Sequence, residues 1–222
     1  MERNVFLMTT PFLTHDLYEI NDSLEIAKDK VGDHEYIYID NFYKNGEQIY
    51  KMLKETWVPN WKLHKDTKNF KKYYDCRLKI PLTNYGVDKE HKTINTLKHM
   101  LNLHDHYCDS IRFNIFQWID VPSSNIQFRP HIDDSFNILI YLDKKCSGGT
   151  AIYEDMPQDL IEEEIDIRCD ISNNKFDIIP AKFNRCVIFN GKLPHGGYIE
   201  DHKKYCSDTW RYNAVYFLES KK

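Results

Sequence analysis

In the stretch FRPHIDDSFNILIYL, residues 128–142, His131 and Asp133 stand two apart just ahead of an apolar run. On an extended strand, residues i and i+2 point to one face. A short segment can therefore aim one imidazole nitrogen and one carboxylate oxygen at a single point. That pair is two thirds of the 2-His-1-carboxylate set that holds divalent iron and leaves coordination positions open. The triplet alone is a weak signal. It recurs as His64-Lys65-Asp66, in a lysine-rich loop with no strand after it, and that copy is read as chance. A lone His131 would as readily be a structural histidine with its hydrogen bonds satisfied.

A third ligand has to come from elsewhere in the chain. NRCVIFNGKLPHGGY offers His195, placed after an apolar run and Pro194 and followed by Gly196 and Gly197, which let backbone pack close. Further on, TWRYNAVYFL carries Arg211 within an otherwise apolar and aromatic strand. A guanidinium facing a core without a partner is costly. It requires an anion, and a carboxylate met by two parallel N–H groups suits it best.

Short runs separated by turn chemistry must position these groups. IRFNIFQWI (111–119), FNILIYL (136–142), GGTAIYE (148–154), KFDIIPA (175–181), NRCVIFN (184–190) and TWRYNAVYFL (209–218) read as strands, with VPSS, KKCSGG and NGKLPHGG between them. Such spacing predicts a sandwich or barrel. Ahead of it, HEYIYIDNFY (34–43) alternates as a strand does. NGEQIYKMLKETW places Ile49, Met52 and Leu53 at helical spacing, and KEHKTINTLKHMLNLHDHYC does the same with Ile94, Leu97 and Leu101. KNFKKYYDCRLKIPL reads as loop leading into strand, and the first 33 residues as an arm with a short helix. The acidic segment 155–174 interrupts the strand series and reads as an insertion or lid. The expected organisation is a single domain, 1–222, in which 1–110 is a strand and helix elaboration and 111–218 the core.

Composition narrows the function. At 222 residues, 41% hydrophobic and 14% aromatic, the chain can build a substantial core. A net charge of −4 gives no global basic field of the kind nucleic acid demands. The basic run KLHKDTKNFKKYY reads as a solvated face. No apolar run reaches a membrane-spanning length, and no secretion signal is read at the N-terminus. Cys76, Cys108, Cys146, Cys169, Cys186 and Cys206 form no C-x-x-C pair, which argues against a zinc knuckle and suggests reduced thiols in a cytoplasmic protein.

The order of these features resembles the Fe(II)- and 2-oxoglutarate-dependent dioxygenases, in particular their prolyl-hydroxylase-like branch. The resemblance rests on His131-x-Asp133, then YLDKKCSGGTAIYE, then Pro194-His195-Gly196-Gly197, then Arg211 on the last strand, and covers about residues 111–218. The opening YIYIDNFYKNGEQIYKML is similar to the strand and helix with which that branch begins. The resemblance implies an α+β, mainly β fold: a distorted double-stranded β-helix, or jelly roll, with N-terminal helices packed on one side. It implies Fe(II) held by His131, Asp133 and His195, 2-oxoglutarate as co-substrate with its far carboxylate on Arg211 and Tyr141, and O2 as oxidant. A core tyrosine with a satisfied hydroxyl is the other reading of Tyr141.

By parity, Asn137 and Leu139 share the face of His131 if the strand is continuous, and Asn213 and Val215 share that of Arg211. Asn114 is a further lining candidate, while Phe116 reads rather as core. Halogenating relatives lack the carboxylate that Asp133 supplies, so its presence implies hydroxylation. Phe128 departs from the branch, where a tyrosine often precedes the H-x-D, and this bears on substrate. The expected activity is hydroxylation of a C–H bond in an amino acid or a peptide or protein side chain. Acidic residues in 155–174 favour a cationic or neutral substrate over nucleic acid. Two alternatives remain: a metal enzyme of the same barrel that does not use 2-oxoglutarate, and a jelly-roll binding or structural protein with chance histidines.

Overall fold

Alternating apolar residues build a large sheet with two unlike faces. The computed structural model describes residues 15–55, 62–64, 73–81, 92–108, 110–155, 168–206 and 209–220. The strands are β1 (Ile26–Val31), β2 (His34–Ile39), β3 (Lys62–His64), β4 (Tyr73–Pro81), β5 (His106–Tyr107), β6 (Ser110–Trp118), β7 (Ile126–Phe128), β8 (Phe136–Tyr141), β9 (Gly149–Tyr153), β10 (Arg168–Asp170), β11 (Phe176–Pro180), β12 (Arg185–Asn190), β13 (His195–Tyr198) and β14 (Arg211–Ser220). Two α-helices occur among the described residues, α1 (Gly46–Glu55) and α2 (Lys92–Leu101). The large sheet runs β1-β2-β12-β8-β14-β6-β4-β3, with β5 also on β14. A second sheet runs β11-β9-β13, and β10 pairs with β7. The fold is mainly β, and its sheets do not close into a continuous barrel.

Strand register assigns the two faces of the large sheet. Ala214 lies opposite both Ile140 and Phe113. Residues of that parity, including Ile111, Ile115, Ile138, Cys186, Ile188, Tyr216 and Leu218, form one core with Ile49 and Leu53 of α1 and Ile94 and Leu97 of α2. Ile49 and Leu53 are four apart, one helical turn, so α1 lays a single apolar stripe on the sheet. Fully burying each such side chain contributes roughly 1.5–3 kcal/mol. Helix α2 stops at Asn102, whose φ of 55° turns the chain while Leu103 N donates to Lys98 O at 2.8 Å and Asn102 N to His99 O at 3.2 Å. The opposite face carries Tyr141, Val187 and Phe189, packed with Ile152 of β9 and Ile179 of β11. The Tyr141 and Thr150 hydroxyls meet at 2.8 Å and tie the two sheets together.

Three local expectations are corrected. The segment before residue 33 contains β1, not only an arm and a helical turn: it pairs with β2 along its whole length through a turn at Gly32. As an edge strand largely exposed on both faces, IAKDKV needs no apolar alternation, which is why the pattern hid it. His64 closes strand β3 at the sheet edge and is not in a loop, although it lies four strands from β8; Asp66 and most of the basic run lie outside the described residues. Within 155–174, the described end forms β10, paired to β7, while 156–167, including Glu162, Glu163 and Glu164, lie outside the described residues.

One buried asparagine fastens the N-terminal segment to the strand core. Asn184 has a φ of 57°, a conformation asparagine tolerates better than most residues. Its side chain accepts from Tyr43 N at 3.0 Å and donates to Tyr43 O at 2.9 Å, and its own carbonyl accepts from Phe42 N at 2.9 Å. Replacing Asn184 with Ala strands two buried backbone groups, each costing about 1–3 kcal/mol. Urea denaturation of Asn184→Ala is expected to show a loss of roughly 2–5 kcal/mol, with an unchanged dependence on denaturant; stability equal to the parent protein would contradict this role.

Candidate metal and anion site

The H-x-D segment does not lie inside a strand. His131 and His195 instead form an antiparallel bridge in which each backbone N donates to the other's carbonyl at 2.9 Å. Asp133 N then donates to Gly191 O at 2.8 Å, and Gly191 N to Ser135 O at 3.1 Å. The connection between β12 and β13 therefore grips the segment at three residues. A Cβ at Gly191 would stand 2.2 Å from Ser135 O and 3.0 Å from Asp133 Cβ, so only glycine permits this approach. A Cβ at Gly196 would come within 2.9 Å of Phe128 O, the close packing that the sequence anticipates for the glycine pair.

These contacts gather the three expected ligands. One nitrogen or oxygen from each of His131, Asp133 and His195 lies within 4.8 Å of the others, a group that could hold a metal ion. Asp133 Oδ2 is 3.4 Å from His195 Nε2 and 4.0 Å from His131 Nε2. His195 is buried with its ring edge-on to Phe189, whereas His131 faces outward, its side chain 55% exposed. Each ring's Nδ1 faces a backbone carbonyl, Leu193 O at 2.7 Å for His195 and Arg129 O at 3.2 Å for His131. Donation there leaves both Nε2 lone pairs free toward Asp133, the orientation that metal-binding histidines take.

The protonation states suit a divalent ion. Although one edge of its ring is exposed, loss of water on the side packed against the protein pushes the His131 pKa below its usual value, and charge on His195 pushes the same way. Burial alone would raise the Asp133 carboxyl, but the neighbouring His195 and His131 rings, whose protonated forms would attract it, and the bond from Asn137 bring it below its ordinary range. Protons therefore compete for His131 only below the ordinary histidine range, and neutral imidazole with carboxylate prevails at neutral pH.

Asn137 does more than line the pocket. Its Nδ2 donates to Asp133 Oδ2 at 2.7 Å and lies 2.7 Å from His195 Nε2. The opposite amide orientation would set a carbonyl oxygen against a carboxylate, so the nitrogen belongs here. The bond to Asp133 fixes which oxygen faces the two rings. The contact with His195 uses the atom that a metal would take and must yield to it.

Arg211 lies on the same inner face, buried and opposite Phe116 in the register. Its Nη2 donates to Gly149 O at 3.3 Å, and its guanidinium sits 5.1 Å from the Phe128 ring centre. No carboxylate lies within ion-pair distance among the described residues. Asp143, the buried acid nearby, instead accepts from the Tyr205 hydroxyl at 2.5 Å and from Lys145 N at 2.9 Å. Of the two sequence readings of Tyr141, the structure shows the satisfied hydroxyl, met by Thr150; Arg211 is close enough for its charge to act on that hydroxyl. Burial raises its pKa to about 12 against the pull of that bond and that charge.

The other lining candidates share this face. Asn213 stands opposite Tyr141 and Asn114, and Asn114 Nδ2 donates to Asn213 Oδ1 at 2.9 Å. Leu139 stands opposite Val215. Phe116 packs with Tyr73, Trp118 and Phe128, as core. Thr150 was not anticipated, although the GGT turn contains it, because its partner comes from the facing sheet. Gly191 was missed as well; the NGK turn that carries it was read only as a break between strands.

No protein-family model matches the chain, and no curated protein matches it. Solved structures similar to it include an oxidoreductase of the 2OG-Fe(II) oxygenase family from Burkholderia pseudomallei, at 11% identity and a TM-score of 0.47, covering 83% of this chain and 84% of that one. HygX from Streptomyces hygroscopicus, solved with nickel and 2-oxoglutarate bound, is similar at 9% identity and a TM-score of 0.47, with 84% and 83% covered. A Pseudomonas putida prolyl-4-hydroxylase is similar at 8% identity and a TM-score of 0.42, with 86% and 95% covered.

Removing a group that orients metal ligands costs about 10- to 100-fold in metal affinity. Anaerobic calorimetric titration with Fe(II) is expected to show that loss for Asn137→Ala, a greater loss for His195→Ala, and none for His64→Ala. Undiminished affinity in His195→Ala would remove the ligand assignment.

Proposed function

We propose that the chain is an Fe(II)- and 2-oxoglutarate-dependent dioxygenase. It hydroxylates a C–H bond of an amino acid or of a peptide or protein side chain, releasing succinate and CO2. One observation carries this reading: a three-ligand metal set, touched by Asn137 of β8, and a buried arginine with no carboxylate partner among the described residues both border the space between the two sheets. A metal set alone would fit many enzymes. The added need for an anion at Arg211 selects a co-substrate with a carboxylate at its far end.

The donor set fits the metal. Two imidazoles and one carboxylate leave coordination positions for a keto acid and for O2, and iron there supplies oxygen activation coupled to decarboxylation of the keto acid. His131, Asp133 and His195 hold the ion, and Asn137 fixes the Asp133 carboxylate. Arg211 binds the far carboxylate of 2-oxoglutarate, with Tyr141 and Asn213 beside it. Leu139 and Val215, on the same face between the rows of Asn137 and of Tyr141, form an apolar floor suited to the methylenes of a dicarboxylate. Phe128 covers Arg211 and keeps water from it, which strengthens the ion pair.

The architecture supports the reading as a distorted double-stranded β-helix, its large sheet carrying α1 and α2 on the outer face and the site on the inner one. We read it as a single domain, since β1 through β4 join the sheet that holds β8 and β14. No described helix is long and apolar enough to cross a membrane. Among the described residues Cys146, Cys186 and Cys206 are free thiols, which fits a reducing, cytoplasmic setting.

Aerobic incubation with Fe(II) and 2-oxoglutarate is expected to release succinate, and metal-depleted protein is not. Loss of a charge-assisted pair costs about 1.5–3 kcal/mol, so Arg211→Ala should weaken 2-oxoglutarate binding on the order of 10- to 100-fold. Calorimetry showing equal affinity in the variant would refute the role of Arg211. A folded, metal-loaded protein that neither binds nor turns over 2-oxoglutarate would favour the binding-protein alternative.

A further inference from the structure

We infer that Arg77 and Arg112 form a receptor for a negatively charged group of the substrate, a carboxylate or a phosphate; this rests on the dioxygenase reading above. Both arginines stand on the inner face of the large sheet. Arg77 of β4 lies opposite Asn114 of β6, which lies opposite Asn213 of β14, which lies opposite Tyr141 of β8. Tyr141 bonds across to the facing sheet, so this whole row looks into the space between the sheets. Arg112 lies two residues from Asn114 on β6 and opposite Val215, and therefore shares that face.

Arg77 and Arg112 are diagonal partners across β4 and β6, a relation that puts such residues about 7–8 Å apart, within reach of long side chains. The Arg112 guanidinium lies 4.8 Å from the centre of the Phe217 ring, and Phe217 stands opposite Asn137, which touches Asp133 and His195. Arg77 is close enough for its charge to act on His131. Arg77 thus lies near His131, and Arg112 stands beside Phe217, one strand from Asn137.

Neither arginine has a carboxylate partner among the described residues. Asp75, on the same face of β4, pairs with neither of them. Arg77 is exposed and Arg112 half-buried, as an open receptor requires. Arg211 cannot serve a substrate while it holds the co-substrate, so a second cationic wall beside the metal answers to a different anion. Paired guanidiniums meet carboxylate and phosphate oxygens by directed, charge-assisted hydrogen bonds. This reverses the charge preference expected from the acidic segment 155–174, because the described wall nearest the ligands is positive.

The test uses the full chain loaded with Zn(II), a diamagnetic stand-in for iron, and saturated with 2-oxoglutarate. Arginine Nε–Hε resonances are followed by NMR while N-acetylglycine, methyl phosphate or the neutral N-acetylglycinamide is added. Saturable shifts of Arg77 and Arg112 with an anion, and none with the amide, are expected; the tighter anion tells carboxylate from phosphate. Arg77→Gln and Arg112→Gln should each weaken that binding on the order of 10-fold and leave 2-oxoglutarate affinity intact. Shifts that do not saturate, or that the amide matches, would overturn the inference alone. If 2-oxoglutarate itself fails to move Arg211, the dioxygenase reading falls and takes this inference with it.

Discussion

Two backbone hydrogen bonds between His131 and His195 are the constraint on which the site depends. They join segments far apart in the chain and set two imidazoles side by side, with ring centres 4.4 Å apart. Once that bridge exists, the bond from Asp133 N to Gly191 O leaves the Asp133 side chain little freedom except toward the rings. The carboxylate is thus delivered by backbone, not by its own side-chain preferences. Backbone positioning costs the site little entropy on metal binding, because the ordering has been met by folding.

The large sheet supports this arrangement by keeping two jobs on two faces. Its outer face is apolar and buried against the helices, and its inner face carries asparagines, arginines and a tyrosine between the sheets. A sheet with one wholly apolar face tolerates polar groups on the other, since register cannot slip without exposing the core. Arg211 is the costliest of those polar groups. It is buried and, among the described residues, answered by a carbonyl and an aromatic face, an arrangement that an anion would complete. On the proposed reading, Arg77 and Arg112 on the same face would give a substrate anion a place separate from that of the co-substrate.

The chemistry-bearing residues were legible because they punctuate strands. His195 follows Pro194 and precedes two glycines, and Arg211 interrupts an apolar run, so each stands out against its neighbours. Strands β6, β8, β9, β11, β12 and β14 were legible because each carries buried apolar side chains; the short β7, β10 and β13 were not read as strands, since three or four residues are too few to show a pattern. Strand β1 was not, because an exposed edge imposes no alternation. The role of Asn137 was hidden by the bend at Ser135, which separates the ligand segment from β8 and makes contact distances unreadable from parity. Thr150 acts through Tyr141 on the facing sheet, and Asn184 through Tyr43, far away in sequence, and no local pattern reports such pairs. The acidic residues of 155–174 show a further limit, since composition alone could not tell whether they face the metal.

The most direct measurement is a crystal structure of the chain grown without oxygen in the presence of Mn(II) and 2-oxoglutarate. The account predicts one metal ion bound by His131 Nε2, Asp133 Oδ2 and His195 Nε2, at distances of about 2.0–2.2 Å as in other such sites. It also predicts the far carboxylate of 2-oxoglutarate against the Arg211 guanidinium. A metal bound away from these three residues, or a 2-oxoglutarate that leaves Arg211 facing only Gly149 O and Phe128, would contradict it.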